Sequence, residues 1–210
     1  MAKKQNGRGE QLRSLVAEEA ARIMAEEWLS DFGQAKRKAA HRLGVTDRAA
    51  LPSNREIELA VIDRQRLFGQ ESRDDQLRHQ RELARQAMTL LAEFEPRLVG
   101  AVLKGTATEY SDISLHLFAD AAEEVALKLM AQCIPYECEE KRVRYGDDRV
   151  EYRPVFRFEA AGAQVAATVF PLVGMRQPPL SPVDGRPMRR ARVADVEALL
   201  SAGRAVGESA

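Results

Sequence analysis

Leu103-Lys104-Gly105-Thr106-Ala107-Thr108-Glu109-Tyr110-Ser111-Asp112-Ile113-Ser114-Leu115-His116-Leu117-Phe118 is the stretch on which the reading of this 210-residue chain turns. Its second half alternates. Ile113, Leu115 and Leu117 fall on one side of an extended chain and Asp112, Ser114 and His116 on the other, because successive strand side chains point to opposite faces. A strand with one buried and one polar face is expected. The first half is small and flexible. Gly105 lets backbone amides approach an anion, the hydroxyls of Thr106 and Thr108 accept and donate, and Lys104 adds positive charge, so these four, with Ser114, are candidate nucleotide- and phosphate-binding residues. The plainer reading of the whole stretch is a buried β-hairpin with Ser-Asp at its turn.

On the polar face, Asp112 is the one carboxylate, flanked by the Ser114 hydroxyl. Magnesium takes hard, anionic oxygens at octahedral sites, so Asp112 with Ser114 makes a poor cage for a catalytic cation. His116 shares the face and titrates near neutral pH, which suits an acid or base, although a single strand histidine is more often a structural group.

Working outward, the chain divides into two grammars. From Gln11 to about Glu95, apolar residues recur at helical spacing. Leu12, Leu15, Val16, Ala20, Ile23, Met24 and Leu29 form one stripe, ended by Ser30-Asp31-Phe32-Gly33. A second helix is expected from about Gln34 to Leu43, stopping at Gly44. A third runs from an Asn54 cap to Phe68, and a fourth from Gln76 to Phe94, ended by Pro96. After Pro96 the pattern changes to strands at Leu98–Leu103, Ile113–Phe118, Tyr136–Tyr145, Val150–Glu159 and Gln164–Phe170, with a helix over Ala121–Gln132. Gly146-Asp147-Asp148 and Ala161-Gly162 supply turns. The Pro- and Gly-rich stretch Pro171–Pro187 reads as a surface wrap before a last helix over Val193–Ala202. The fold class expected is α+β: a helical region over residues 1–95, then a small mixed-sheet domain over residues 96–210.

Composition bounds the function. Thirty-two basic residues balance thirty-two acidic ones, so no whole-molecule field draws in nucleic acid, and any polyanion site must be local. The absence of a long uncharged apolar run and the polar start Met1–Glu10 point away from membrane spanning and secretion, and toward a cytoplasmic protein. Cys133 and Cys138 have no histidine nearby to complete a zinc set and read as reduced structural thiols. The basic run Lys36-Arg37-Lys38, with His41 and Arg42, raises a helix-turn-helix reader of nucleic acid. Glu18, Glu19, Glu26 and Glu27 dilute that field, so an intramolecularly paired face is the better expectation. Trp28 and Phe32 read as packing residues rather than stacking platforms. Arg186, Arg189, Arg190 and Arg192 form the densest basic cluster of the last third; guanidinium forks suit phosphates, but such a run is usually a solvated helix entry.

The order strand, Gly-Thr turn, strand with Asp-x-Ser, helix and further strands gives residues 98 to about 170 a resemblance to the minimal nucleotidyltransferase domain of the polymerase-beta superfamily. Ser181-Pro182-Val183-Asp184-Gly185-Arg186-Pro187-Met188 and Ala35–Gly44 are similar to phrases in a group of uncharacterised bacterial proteins labelled as nucleotidyltransferases. The resemblance implies that Gly105 and Thr106 stand where phosphate-holding residues stand, and Asp112 where the first metal carboxylate stands. Ser114 replaces the second. The strand Gln164–Phe170, which would carry the third, has Ala166 and Thr168 at its alternating positions, and Glu159 is the nearest acid. The spacer from Gly105 to Asp112 is also short. The implied function is therefore a nucleotidyltransferase-fold protein that no longer transfers and acts by binding a nucleotide, or a protein partner or second copy through its helical half. One alternative is an active, atypical transferase with magnesium on a catalytic Asp112. A second is a nucleic-acid-binding regulator, although nucleic acid is not the expected partner.

Overall fold

Apolar residues three and four apart in the first third of the chain, and two apart after Pro96, produce helices and then a sheet. The computed structural model describes residues 2–27, 29, 31–47, 50–66, 70–108, 111–160 and 162–207. The fold is α+β. Its residues form two compact units: one of residues 1–73 with 108–111 and 182–184, the other of 74–107, 112–181 and 185–210.

In the first unit, α1 (Ala2–Glu26), α2 (Phe32–Arg42) and α3 (Asn54–Arg66) share a core of Val16, Ala17, Ala20 and Ile23 from α1, Ala35 and Ala39 from α2, and Ile57 from α3. Four alanines in this set keep the helix axes close. Leu15, expected in the buried stripe, is instead 51% exposed, because it lies one position outside the arc that α2 and α3 cover. Phe32 packs against the cluster; Trp28 lies outside the described residues, as does Phe68. Asp31, expected to end the first helix, caps the second, accepting from the Gln34 amide at 2.5 Å. The cap of α3 is Ser53 rather than Asn54. Ser53 Oγ accepts from the Glu56 amide at 3.2 Å while Glu56 accepts from the Ser53 amide at 2.6 Å, the reciprocal Ser-x-x-Glu arrangement that satisfies two orphan helix donors. The Asn54 side chain donates to the Pro182 carbonyl.

The second unit is built on a five-stranded mixed sheet in the order β1-β2-β5-β4-β3, where β1 is Arg97–Val99, β2 Ile113–Phe118, β3 Tyr136–Arg144, β4 Val150–Ala160 and β5 Ala163–Phe170. β2 and β5 are parallel; the other neighbours are antiparallel. The expected strand Leu98–Leu103 is only half a strand. After β1, Gly100 turns the backbone at φ +75° and a short helix α5 (Gly100–Lys104) follows. An apolar run as short as Ala101-Val102-Leu103 fits either period, and the glycine decides it. The fourth helix, α4 (Gln70–Leu90), ends earlier than expected: a 3-10 turn over Ala92–Phe94 and left-handed Glu95 lead into Pro96.

Leu98, Leu115, Ala167 and Phe156 lie in register across one face, with Ile113, Val165 and Phe158 beside them. That face is covered by Leu83, Ala84, Ala87 and Met88 of α4, Leu91 just after it, Val125 and Leu129 of α6 (Ala122–Ala131), and Val196 of α7 (Val193–Gly207). The Pro-rich wrap returns to the sheet at Ala191, which exchanges hydrogen bonds of 2.8 and 2.9 Å with Leu98 and so covers the open edge of β1. Cys133 and Cys138 are both free and exposed, so neither serves the core. Among the described residues, no helix is long and apolar enough to cross a membrane.

Candidate functional site

The opposite face of the sheet carries the polar residues of β2. Two cross-strand rows define it. Val99, Ser114, Ala166, Arg157 and Glu137 form one; Arg97, His116, Thr168, Val155 and Glu139 form the next. Asp112 lies just before β2, two residues ahead of Ser114 in the first row. The alternation of Asp112, Ser114 and His116 is thus observed on a real sheet face.

Asp112 does not stand alone. Arg157 of β4 donates to its Oδ2 at 2.7 Å and, through Nε, to Glu139 of β3 at 2.6 Å. Burial works against the Arg157 charge, but hydrogen bonds and attraction from Glu139 and Asp112 outweigh it and raise its pKa. A guanidinium therefore occupies the cationic position beside the carboxylate. Among the described residues no three His, Cys, Asp or Glu side chains gather at one point, and Glu159 is exposed. Ser114 packs under Gly100, where an added Cβ would meet Ser114 Cβ and Oγ at 3.4 Å, so its surroundings are set by backbone packing.

The loop residues are likewise engaged within the protein. Gly105 closes α5 at φ +78°, and both its amide and that of Thr106 donate to the Ala101 carbonyl, as at any helix C-terminus. Those are the amides a phosphate cradle would need. Lys104 is exposed at the end of α5. Thr108 belongs to the other compact unit, where its amide and hydroxyl meet Ser111 Oγ at 2.9 and 3.1 Å. The sequence places six candidates, Lys104, Gly105, Thr106, Thr108, Asp112 and Ser114, in one site, whereas the structure joins Asp112 to Arg157, residues 45 apart in sequence. The signal for Arg157 was present in the alternation Glu151, Arg153, Val155, Arg157, Glu159, which puts an arginine on the Asp112 face once strand order is known.

At the other end of β2, His116 is buried and accepts a hydrogen bond at Nδ1 from Arg190 Nε at 3.1 Å. Burial, then repulsion from Arg190 and Lys141, holds its pKa well below the usual histidine value, so it is neutral at physiological pH. Its ring tilts against Phe170 at 4.5 Å. Of the four arginines of the C-terminal cluster, Arg186, Arg189 and Arg192 are exposed, and Arg190 alone turns onto the sheet. Two members of the basic run of α2 are paired within the chain at its surface: Lys38 with Glu27 at 2.7 Å, and Arg42 with Glu27 and Glu19. Lys36 is partly buried, which lowers its pKa despite Glu56.

No protein-family model, curated protein or solved structure matches this chain.

Proposed function

We propose that this chain is a nucleotidyltransferase-like protein whose metal site has been replaced by an internal ion pair, and which acts by binding a nucleotide or a protein partner. The observation that supports this reading is the Asp112–Arg157 pair at 2.7 Å, with Arg157 shared by Glu139. Phosphoryl transfer in this class depends on cations that neutralise phosphate charge and align the attacking oxygen. A carboxylate already neutralised by a fixed guanidinium has little to offer a second cation. The use of the Gly105 and Thr106 amides in capping α5 argues the same way. Pairing of Lys38 and Arg42 with Glu27 and Glu19 lowers the field a nucleic-acid reader would need, so binding of RNA or DNA ranks below this reading.

A thermal-shift comparison of nucleoside triphosphates, with and without magnesium or manganese, tests it on the native chain and on Asp112→Ala. Nucleotide-induced shifts are expected to be the same with and without the cation, and Asp112→Ala is expected to stay folded and respond alike. A metal-dependent shift that Asp112→Ala abolishes, together with transfer of a nucleoside monophosphate to an acceptor, would establish the active enzyme instead.

A further inference from the structure

Four guanidinium groups surround the aromatic side chains at the far end of the polar face. Phe118 and Phe170, register partners that end the parallel strands β2 and β5, form a small buried cluster with Val143 and Tyr145. Arg190 Cζ lies 5.0 Å from the Phe118 ring centre and 5.3 Å from that of Phe170. Arg97 is 5.9 Å from Phe118, Arg153 is 5.9 Å from Phe170, and Arg149 is 4.3 Å from Tyr145. Ring faces attract cations but do not neutralise them.

Counter-charge is unevenly shared among the four. Arg97 pairs with Glu95, Arg153 and Arg149 share Glu151, and Arg149 also reaches Asp147. Arg190 has only neutral acceptors among the described residues: His116 Nδ1, the Gly174 carbonyl at 2.7 Å and the Met175 carbonyl at 3.2 Å. Its Nη2 is buried with no hydrogen-bond partner, and so is Nε of Arg153. Burial is the main cause that pushes the Arg190 guanidinium down to about 10; Tyr145 acts the other way and Arg97 adds repulsion. Buried polar groups are almost always satisfied and buried charges paired, so two orphaned guanidinium N–H groups around one phenylalanine ring call for an acceptor from outside the chain.

We propose that this end of the sheet binds a phosphate-type oxyanion, which accepts from Arg190 Nη2 and Arg153 Nε and draws on the positive field of Arg97. A tetrahedral anion with several oxygens can serve donors that approach from different sides, and guanidinium forks match it better than they match a single carbonyl. Because both orphaned atoms are buried, the anion enters only as the turn Leu172–Met175 gives way. That turn carries the carbonyls that hold Arg190 Nη1, and its Val173 is 80% exposed. The inference does not rest on the nucleotidyltransferase reading, since it uses neither Asp112 nor the Gly105 loop.

Isothermal titration with inorganic phosphate, at ionic strength matched by sodium chloride, tests it on the native chain, Arg190→Met, Arg190→Lys and Asp112→Ala. Saturable binding is expected in the native chain and, with the same affinity, in Asp112→Ala. Arg190→Met is expected to bind at least tenfold more weakly, and Arg190→Lys, which keeps the charge but loses the fork, to fall between. If Arg190→Met does not fold, Arg153→Met carries the same tenfold expectation. Absence of saturable phosphate binding, unchanged affinity in the folded Met variant, or acetate binding as tightly as phosphate would each overturn the assignment. The behaviour of Asp112→Ala in this titration keeps such a failure separate from failure of the proposed function.

Discussion

The two ends of β2 lie on one face of one sheet and differ in how charge is resolved. Asp112 and Phe118 are six residues apart, about 20 Å at roughly 3.3 Å per strand residue. At the Asp112 end, Arg157 lies between two carboxylates, Asp112 and Glu139, and pairs with both. At the Phe118 end, Arg97, Arg149 and Arg153 share the carboxylates Glu95, Asp147 and Glu151, and Arg190 reaches none of them among the described residues. A closed ion-pair set is a structural device, whereas a buried surplus of one sign is held against its own desolvation and invites a ligand. The region whose residue order resembled a catalytic motif is the self-contained one, and the region read as a solvated basic run is the one left incomplete.

The largest expected effect strikes the incomplete end. Phe170→Ala removes a ring that is 1% exposed and that supports Arg190, Arg153 and His116. It should cost about 3–5 kcal/mol, the range for large aromatic truncations in cores, read from urea unfolding. A cost under about 1 kcal/mol would break the comparison, because the aromatic cluster would then not be organising that end.

Acid provides the next test. His116 keeps a folded-state pKa well below the unfolded value of about 6.5, so below that pH the unfolded chain takes up a proton that the folded chain refuses. The stability His116 contributes is fully present above pH 6.5. It is lost as the pH falls, at up to about 1.4 kcal/mol per pH unit, until the folded pKa is reached. Of the positive groups around it, Arg190 and Lys141 resist the proton, and Arg97 is its cross-strand neighbour. His116→Gln, which keeps an acceptor for Arg190 but does not titrate, should show a flatter decline between pH 6.5 and 5 in denaturation series. Equal slopes would show that His116 is not held neutral.

The smallest effect belongs to the closed end. A double-mutant cycle with Asp112→Ala and Arg157→Ala should return a coupling of about 1 kcal/mol, discounted because the Arg157 side chain is 38% exposed. A coupling near zero would mean that this pair does not hold the carboxylate, and would reopen the Asp112 end to an external cation.

Much of the architecture was legible from local pattern. The alternation Ile113, Leu115, Leu117 against Asp112, Ser114, His116 set both faces of β2, and the helical stripes of Val16, Ala20 and Ile23 marked the first core. Errors fell where a local signal was shared or overridden. Ala101-Val102-Leu103 fits a strand because three apolar residues carry no period, and Asn54 has the chemistry of a cap although Ser53 with Glu56 forms the reciprocal one. The site was less legible, since its decisive partners are distant in sequence: Arg157 lies 45 residues from Asp112, and Arg190 lies 74 from His116. Nothing in the neighbourhood of Arg190 separates it from Arg189 or Arg192.

Composition and periodicity by themselves determined that this chain makes helices first and a mixed sheet after, and that one face of β2 is polar, because backbone geometry fixes which side chains share a face. Which charges on that face cancel and which remain was decided only by tertiary structure. Electrostatic pairing depends on distances of a few ångströms between strands and a returning segment, and strand order, register and the path of the wrap set those distances.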